Sequence, residues 1–260
     1  MIKSLNFHNY KNYLSCPKKF KFQYIDKVKI EKFFNEEEIK INIQNDVLRK
    51  VFLDFYQKKL FLLKSKCRFE IQYLIRKYVD ESNFEKKHDL VKLCFDYVEN
   101  IIFLIKKYHL LSVEYFNLLS ISINRYGFDL IGEIPLKLIN SSGGVEIYDI
   151  QCVEKESLLD KNKLLYYGLL NQLKYGECPH KLGFILIRQR KVKFVRFQQK
   201  NFDEILNNVK FISEIVQFNN FEACMGFRCK WCQYTSKCTE GLNYLNDESD
   251  NGDFFVENLN

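Results

Sequence analysis

The sequence predicts an α/β chain with an N-terminal helical elaboration and a cysteine-rich C-terminal segment. Three observations carry that reading. Five runs with strand character lie between residues 115 and 197, interrupted by one segment of helical period. Helical patterns without turn dipeptides dominate the residues before them. Three cysteines then follow the last helical segment within ten residues, 229–238.

The elements are justified in chain order. In NYKNYLSCPKKFKFQYIDKV, the residues Tyr10, Tyr13, Leu14 and Phe20 fit one helical face. Cys16-Pro17 interrupts that face and places a proline at a helix start, where its missing N–H costs nothing. Residues 41–63 form a second helix, since Val47, Leu48, Val51, Phe52 and Phe55 recur at helical spacing. Residues 60–111 read as a helical insertion. Tyr115–Asn124 and Phe128–Ile139 are strands joined at Arg125-Tyr126-Gly127, and a Ser-Ser-Gly-Gly turn leads to a third strand, Val145–Val153. Lys161–Tyr175 is a helix, Leu182–Arg188 and Val192–Phe197 are a strand pair, and 203–218 is a helix with Ile205, Leu206, Val209, Ile212 and Val216 on one side. Helices, three strands, a helix, two strands and a helix make an α/β core with a helical addition.

The totals bound the function. A chain of 260 residues with 47% apolar content buries a real core. The strongest apolar run, Ile101–Ile105, is far short of the roughly 20 residues of a membrane span, and the start of the chain lacks the apolar stretch of a signal peptide. The expectation is a cytoplasmic protein, nucleoid-associated or nuclear as variants, with no membrane partner. Six of the 33 acids lie in 240–260, which has no Lys or Arg; 40 basic and 27 acidic residues remain in 1–239, a net of +13. The sequence therefore predicts one domain over 1–239 with a polyanion partner, and an acidic, disordered tail over 240–260. The nine cysteines suit a reducing compartment better than a disulfide framework. Cys67, Cys94, Cys152 and Cys178 sit singly among apolar neighbours and read as small core residues.

The remaining cysteines carry chemistry. CKWCQYTSKC sets Cys229, Cys232 and Cys238 at C-x2-C-x5-C. Two residues between cysteines let both thiolates face one metal centre from a tight turn. Three ligands leave a tetrahedral thiolate site incomplete, so the fourth is Cys224 or a cysteine from elsewhere in the fold. Spacing alone does not separate zinc from iron–sulfur.

YLSCPKKFKFQY, strands ending in GEIP and YDIQ, KLLYYG on a helix, and CKWCQYTSKC occur in that order. In this the chain resembles the RecB-like branch of the PD-(D/E)XK nucleases, and within it the iron–sulfur members of AddB-type helicase–nucleases and CRISPR-associated RecB-like exonucleases. The resemblance spans residues 7–238 and is weakest over 60–111. It implies a restriction-endonuclease-like core with a mixed central sheet. It implies a [4Fe–4S] cluster on Cys16, Cys229, Cys232 and Cys238, leaving Cys224 spare. It also implies DNA as substrate, a helicase or other DNA-processing protein as partner, and Mg²⁺ or Mn²⁺ if the chain is active.

The catalytic motifs match only in part. Gly132-Glu133-Ile134-Pro135 falls on the family's Gly-x-x-Asp, with Pro135 where the metal-binding Asp belongs. Asp149-Ile150-Gln151 falls on (D/E)-x-K, with Gln151 in place of the lysine. Lys163 and Tyr167 fall on the helix motif Q-L-x-x-Y, keeping the tyrosine. Asn45 and Arg49 fall nearest the family's upstream histidine. Asp149, with Glu133 or Glu114, makes a poor site for an ion that wants several hard oxygen ligands. Losing one electrostatic contributor costs roughly 10²–10³ in rate, and losing a metal ligand as well removes more. Lys163 is the one candidate to replace the lost lysine, by reaching in from its helix. Lys18, Lys19 and Lys21, interleaved with Phe20, Phe22 and Tyr24, and Arg49 are candidate nucleic-acid contacts. The sequence thus predicts a nuclease-deficient, DNA-binding iron–sulfur protein. Its rivals are an active nuclease with a relocated lysine and a zinc-stapled protein-interaction module.

Overall fold

The structure is a computed structural model that describes residues 2–30, 43–44, 46–48, 50–51, 54–55, 67–108, 114–123, 126–140, 142–151 and 159–251. The strands are β1 (Ser4–Leu5), β2 (Glu114–Ile123), β3 (Phe128–Ile139), β4 (Val145–Gln151), β5 (Lys181–Leu186) and β6 (Lys191–Val195). The helices are α1 (Phe7–Ser15), α2 (Pro17–Phe20), α3 (Cys67–Asp80), α4 (Lys87–Tyr108), α5 (Lys161–Tyr175), α6 (Gln199–Phe218) and α7 (Thr239–Asn251). The class is α/β, as the sequence predicts. The chain divides into two compact units: Met1–Lys32 with Ser122–Ile131 and Leu206–Asn260, and Phe33–Ile121 with Gly132–Ile205. The boundaries run through the continuous elements β3 and α6, so no linker composition marks them in the sequence.

The first unit brings α1 and α2 together with α6 and α7. Asn6 caps α1 by accepting the Asn9 N–H at 2.9 Å. Cys16 ends α1 by donating its N–H to the Asn12 carbonyl at 3.1 Å, and its Sγ caps α2 by accepting the Lys19 N–H at 3.5 Å. Pro17 opens α2, as expected of a residue without an N–H. Tyr10, Tyr13 and Phe20 are buried, but Leu14 is 45% exposed, against the expected shared face. Short β1 pairs in parallel with the start of β3 through Ser4↔Asp129 and Leu5↔Leu130. From α6, Val209 and Ile212 are buried, Asn208 donates to the Tyr10 hydroxyl at 3.0 Å, and Ser213 donates to the Tyr126 carbonyl at 2.6 Å.

The tail is a correction. Residues 240–251 are not disordered but form most of α7. Glu240 sits in its first turn, where a negative charge favours the helix dipole. The Lys18 ammonium holds the same carboxylate at 2.5 and 2.6 Å. The Leu242 N–H reaches the Cys238 carbonyl at 2.9 Å. Residues 252–260 lie outside the described residues.

The second unit is built on a mixed ladder. β3 and β4 are antiparallel, from Ile139↔Val145 to Leu136↔Tyr148. β4 and β5 are parallel through Tyr148↔Gly183 and Asp149↔Phe184, and β5 and β6 are antiparallel through Gly183↔Phe194. Leu136, Tyr148 and Ile185 pack with Val51 and Phe55, with Leu74 and Ile75 of α3, and with Leu90 and Leu104 of α4 in one buried cluster. The helical elaboration thus covers a sheet face, and much of the expected insertion over 60–111 is the helix pair α3 and α4. By strand alternation Leu182 and Phe184 point the other way, and α5 lies against Leu182: a Cβ built on Gly168 would sit 3.4 Å from that side chain. Asp160 caps α5 by accepting the Asn162 N–H, and Gly176 ends it at φ +74, a left-handed turn that suits glycine. Of the single cysteines, Cys94 is fully buried as expected, whereas Cys178 is exposed in the turn after α5. Cys152 and the Cys67 side chain lie outside what is described.

Candidate functional site

The second unit brings Asp149, Gln151 and Lys163 together. Asp149 is the next residue of β4 after the last rung it shares with β3, and Pro135 is its counterpart on β3. Asp149 is 2% exposed. Lys163, in the first turn of α5, places Nζ 3.1 Å from Asp149 Oδ2 and 3.2 Å from Oδ1. Gln151 Nε2 donates to Oδ2 at 2.6 Å. Burial pushes the Asp149 carboxyl above its ordinary range, and Lys163 and Gln151 oppose that rise. Tyr167, one turn further along α5 and nearly buried, holds its ring centroid 5.7 Å from the Lys163 ammonium. The buried carboxylate is therefore already neutralised by a lysine that also lies near an aromatic ring.

The other candidates take different places. Glu133 and Pro135 lie half-buried on β3. Glu114 opens β2, and its side chain lies outside what is described. Asn45 and Arg49 lie outside the described residues. Gly132 is a close approach: a Cβ there would sit 2.3 Å from Leu170 Cδ1 of α5. The helix that carries Lys163 thus reaches β3 only because this position has no side chain. A second buried acid escapes the sequence reading. Glu146 accepts from Tyr148 Oη at 2.7 Å, Lys181 Nζ at 2.8 Å and Asn140 Nδ2 at 3.3 Å. Burial works to raise its pKa, but these three donors outweigh it and hold the carboxyl below its ordinary range.

The cysteines lie in the first unit. Cys229 lies within a short 3-10 helix, Phe227–Trp231, and Cys232 ends it; Thr235 Oγ1 ties the turn by donating to the carbonyls of Cys229 at 2.6 Å and Cys232 at 2.7 Å. Cys238 Sγ accepts the Gly241 N–H at 3.4 Å. Cys16 Sγ accepts two N–H groups, from Lys19 and from Cys224, each at 3.5 Å. Cys16, the fourth ligand that the resemblance implies, and Cys224, the candidate that spacing offers, are thus neighbours. Among the described residues, no three His, Cys, Asp or Glu side chains converge on one metal position. The sulfurs of Cys16 and Cys238 receive N–H donors, as a thiolate would, but burial and the Glu240 carboxylate 3.6 Å from Cys238 Sγ raise the Cys238 thiol above its ordinary range. Beside them the Tyr13 hydroxyl is buried without a hydrogen-bond partner, which native folds rarely tolerate. Its pKa is pushed up to about 12 by burial and then by Cys224 and Glu222.

The nucleic-acid candidates Lys18, Lys19 and Lys21 flank Cys16. Lys18 is paired with Glu240, and Lys21 lies 5.8 Å from the Phe221 ring centroid. Phe20 is fully buried against Tyr13 and Tyr24, and Phe22 packs against Tyr234. No helix among the described residues is long and apolar enough to cross a membrane.

No protein-family model and no curated protein matches the chain. A solved structure described as "Crystal structure of SSO0001" aligns over 93% of this chain and 88% of that chain, at 10% identity and a TM-score of 0.37. A likeness at that score bears on neither mechanism nor partner.

Proposed function

We propose that the chain is a DNA-binding iron–sulfur protein of the RecB-like PD-(D/E)XK kind with a disarmed nuclease site. It would work with a helicase or another DNA-processing protein in repair, recombination or related processing. The observation that carries the disarmed site is the Asp149–Lys163 pair. Metal-assisted phosphodiester cleavage needs a divalent ion held by several oxygen ligands. Here the one deeply buried carboxylate of the motif already accepts from Lys163 and Gln151. Pro135 supplies no second oxygen side chain. An arriving cation would have to displace an ammonium and then rest on a single carboxylate, so binding is weak and turnover is low.

Cys16, Cys229, Cys232 and Cys238 would hold the cluster. When bound, a [4Fe–4S] cluster on four thiolates would tie Cys16 to the 229–238 segment, closing a loop of about two hundred residues. Lys18 and Lys19 follow Cys16 across Pro17, so the same staple would fix the spacing of candidate phosphate contacts.

The same ion pair favours one second reading. Lys163 stands where a relocated catalytic lysine would, and Glu133 would have to help hold the metal. Cleavage of single- and double-stranded DNA with Mg²⁺ or Mn²⁺ decides between the two. The proposed function expects no cutting above background. Cutting that Lys163→Ala abolishes, with DNA binding intact, would establish the active reading instead.

A further inference from the structure

Residues 178–202 hold seven Lys and Arg and no Asp or Glu, a charge of +7 that equals the formal net charge of the whole chain. They comprise β5, β6 and the beginning of α6, all in the second unit and away in sequence from the cysteines. β6 is an edge strand: among the described residues it pairs only with β5. Arg196 and Lys200 are exposed. An open groove of about 650 Å³ runs here, lined by His180, Lys181, Phe194, Arg196, Phe197 and neighbours, with no acid in its lining.

Phe194 is the notable wall of that groove. It is 50% exposed although it sits in a strand. Its partner across the ladder is Gly183, and the next residue in the row is Tyr148. Because Gly183 has no side chain, the Tyr148 and Phe194 rings meet edge-on with centroids 6.4 Å apart. A Cβ on Gly183 would lie 3.0 Å from Tyr148 Cε1. The Lys181 ammonium lies 5.8 Å from the Phe194 centroid and is itself held by buried Glu146 at 2.8 Å. The ring is thus braced from one side and half open to solvent. A single exposed aromatic is ordinary, but one braced in a groove whose lining includes Arg196 and no acid is a stacking platform beside a phosphate-binding charge.

We infer that the β5–β6 edge binds single-stranded nucleic acid, with a base stacked on Phe194 and phosphates drawn to Arg196 and Lys200. This rests on the DNA-binding reading and deepens it by adding a strand-binding surface apart from Lys18, Lys19 and Lys21. Stacking on an aromatic tolerates any base, so the surface reads strandedness rather than sequence.

The test is fluorescence anisotropy of the full chain with labelled oligo-dT, oligo-U and a duplex at several salt concentrations. Phe194→Ala should weaken single-strand binding about tenfold and leave duplex binding nearly unchanged. Arg196→Ala should lower the salt slope by about 0.7, one phosphate contact. Phe194→Trp in a Trp231→Phe background keeps an aromatic platform and guards against simple misfolding. Trp231 is the chain's only tryptophan, so the new ring reports alone. Its fluorescence should be quenched by oligonucleotide, and whether dT or U quenches more assigns DNA or RNA as the better ligand. If Phe194→Ala and Arg196→Ala bind like wild type and the tryptophan is unaffected, the surface is not a binding site; loss of binding in Lys18→Ala with Lys19→Ala would then leave the DNA-binding reading standing. If wild type binds no nucleic acid at low salt, that reading falls and this inference with it.

Discussion

Lys163 and Asp149 lie fourteen residues apart on α5 and β4, and their side chains meet at 3.1 Å with the acid buried and the lysine partly exposed. An ion pair so placed sets what the site can do, because neither group changes without consequence for the other.

Lys163→Met keeps the hydrocarbon stem and removes the charge. Asp149 is then buried with Gln151 but without a cation. Removing one member of a buried pair costs about 3–5 kcal/mol; with the lysine partly in solvent, about 1–3 kcal/mol is expected in urea unfolding at neutral pH. The sign with pH is definite. The folded-state pKa of Asp149 is raised by burial, and losing Lys163 raises it further. A raised acid favours folding at low pH and loses that contribution as pH climbs through the folded pKa. The deficit of Lys163→Met should therefore shrink near and below the ordinary Asp value of 3.8 and widen toward neutrality. Adding Asp149→Asn should recover part of it.

Glu146 predicts the opposite limb. Its pKa is lowered despite burial, by the donors on Lys181, Tyr148 and Asn140. A lowered acid contributes stability above its unfolded pKa and loses it as pH falls through the folded value. The stability of wild type relative to Glu146→Gln should hold above the ordinary value of 4.5 and decline below it. A pH-independent difference between the two proteins contradicts the hydrogen-bond set described.

Gly132→Ala tests the seating of α5 on β3. The new methyl would lie 2.3 Å from Leu170 Cδ1, the end of a fully buried side chain that would have to shift within the core. Overpacking of this kind costs about 1–3 kcal/mol. Leu170→Val in the same chain should return part of that cost. Equal stability of Gly132→Ala and wild type in urea would show that α5 sits elsewhere.

Much of this was open to sequence reading. The bounds of β3 and α5 follow the expected Phe128–Ile139 and Lys161–Tyr175, because turn glycines and a helix cap punctuate them locally. The reach of Lys163 toward Asp149 enters the sequence reading only as a rival, through the resemblance that sets that helix beside that strand. What escapes depends on long-range contacts. Glu240 is ordered through Lys18, 222 residues away, so its acidic segment looks like a tail. Exposed Cys178 sits between Gly176 and Pro179, turn signals that reading it as a core cysteine passes over. The Tyr148–Gly183–Phe194 row exists only once three strands are in register.

Iron analysis of anaerobically purified protein addresses the cysteines. Wild type should be brown and carry about four irons per chain, as a [4Fe–4S] cluster requires. Cys16→Ser should lose that iron and Cys224→Ser should retain it. Because Cys224 lies beside Cys16, the comparison is sharp: iron lost in Cys224→Ser and kept in Cys16→Ser would exchange their roles. Stoichiometric zinc without iron would favour a zinc-stapled interaction module.

The most direct test of the disarmed site is single-turnover cleavage of labelled DNA with Mn²⁺, comparing wild type with Pro135→Asp, Gln151→Lys and their combination. Restoring the carboxylate and the motif lysine supplies two groups that act on one transition state, so their effects should be non-additive. The account predicts no cutting by wild type and the largest gain in the doubly substituted chain. Wild-type cutting that survives both Lys163→Ala and Asp149→Ala would contradict it, because the active site would then lie away from this ion pair.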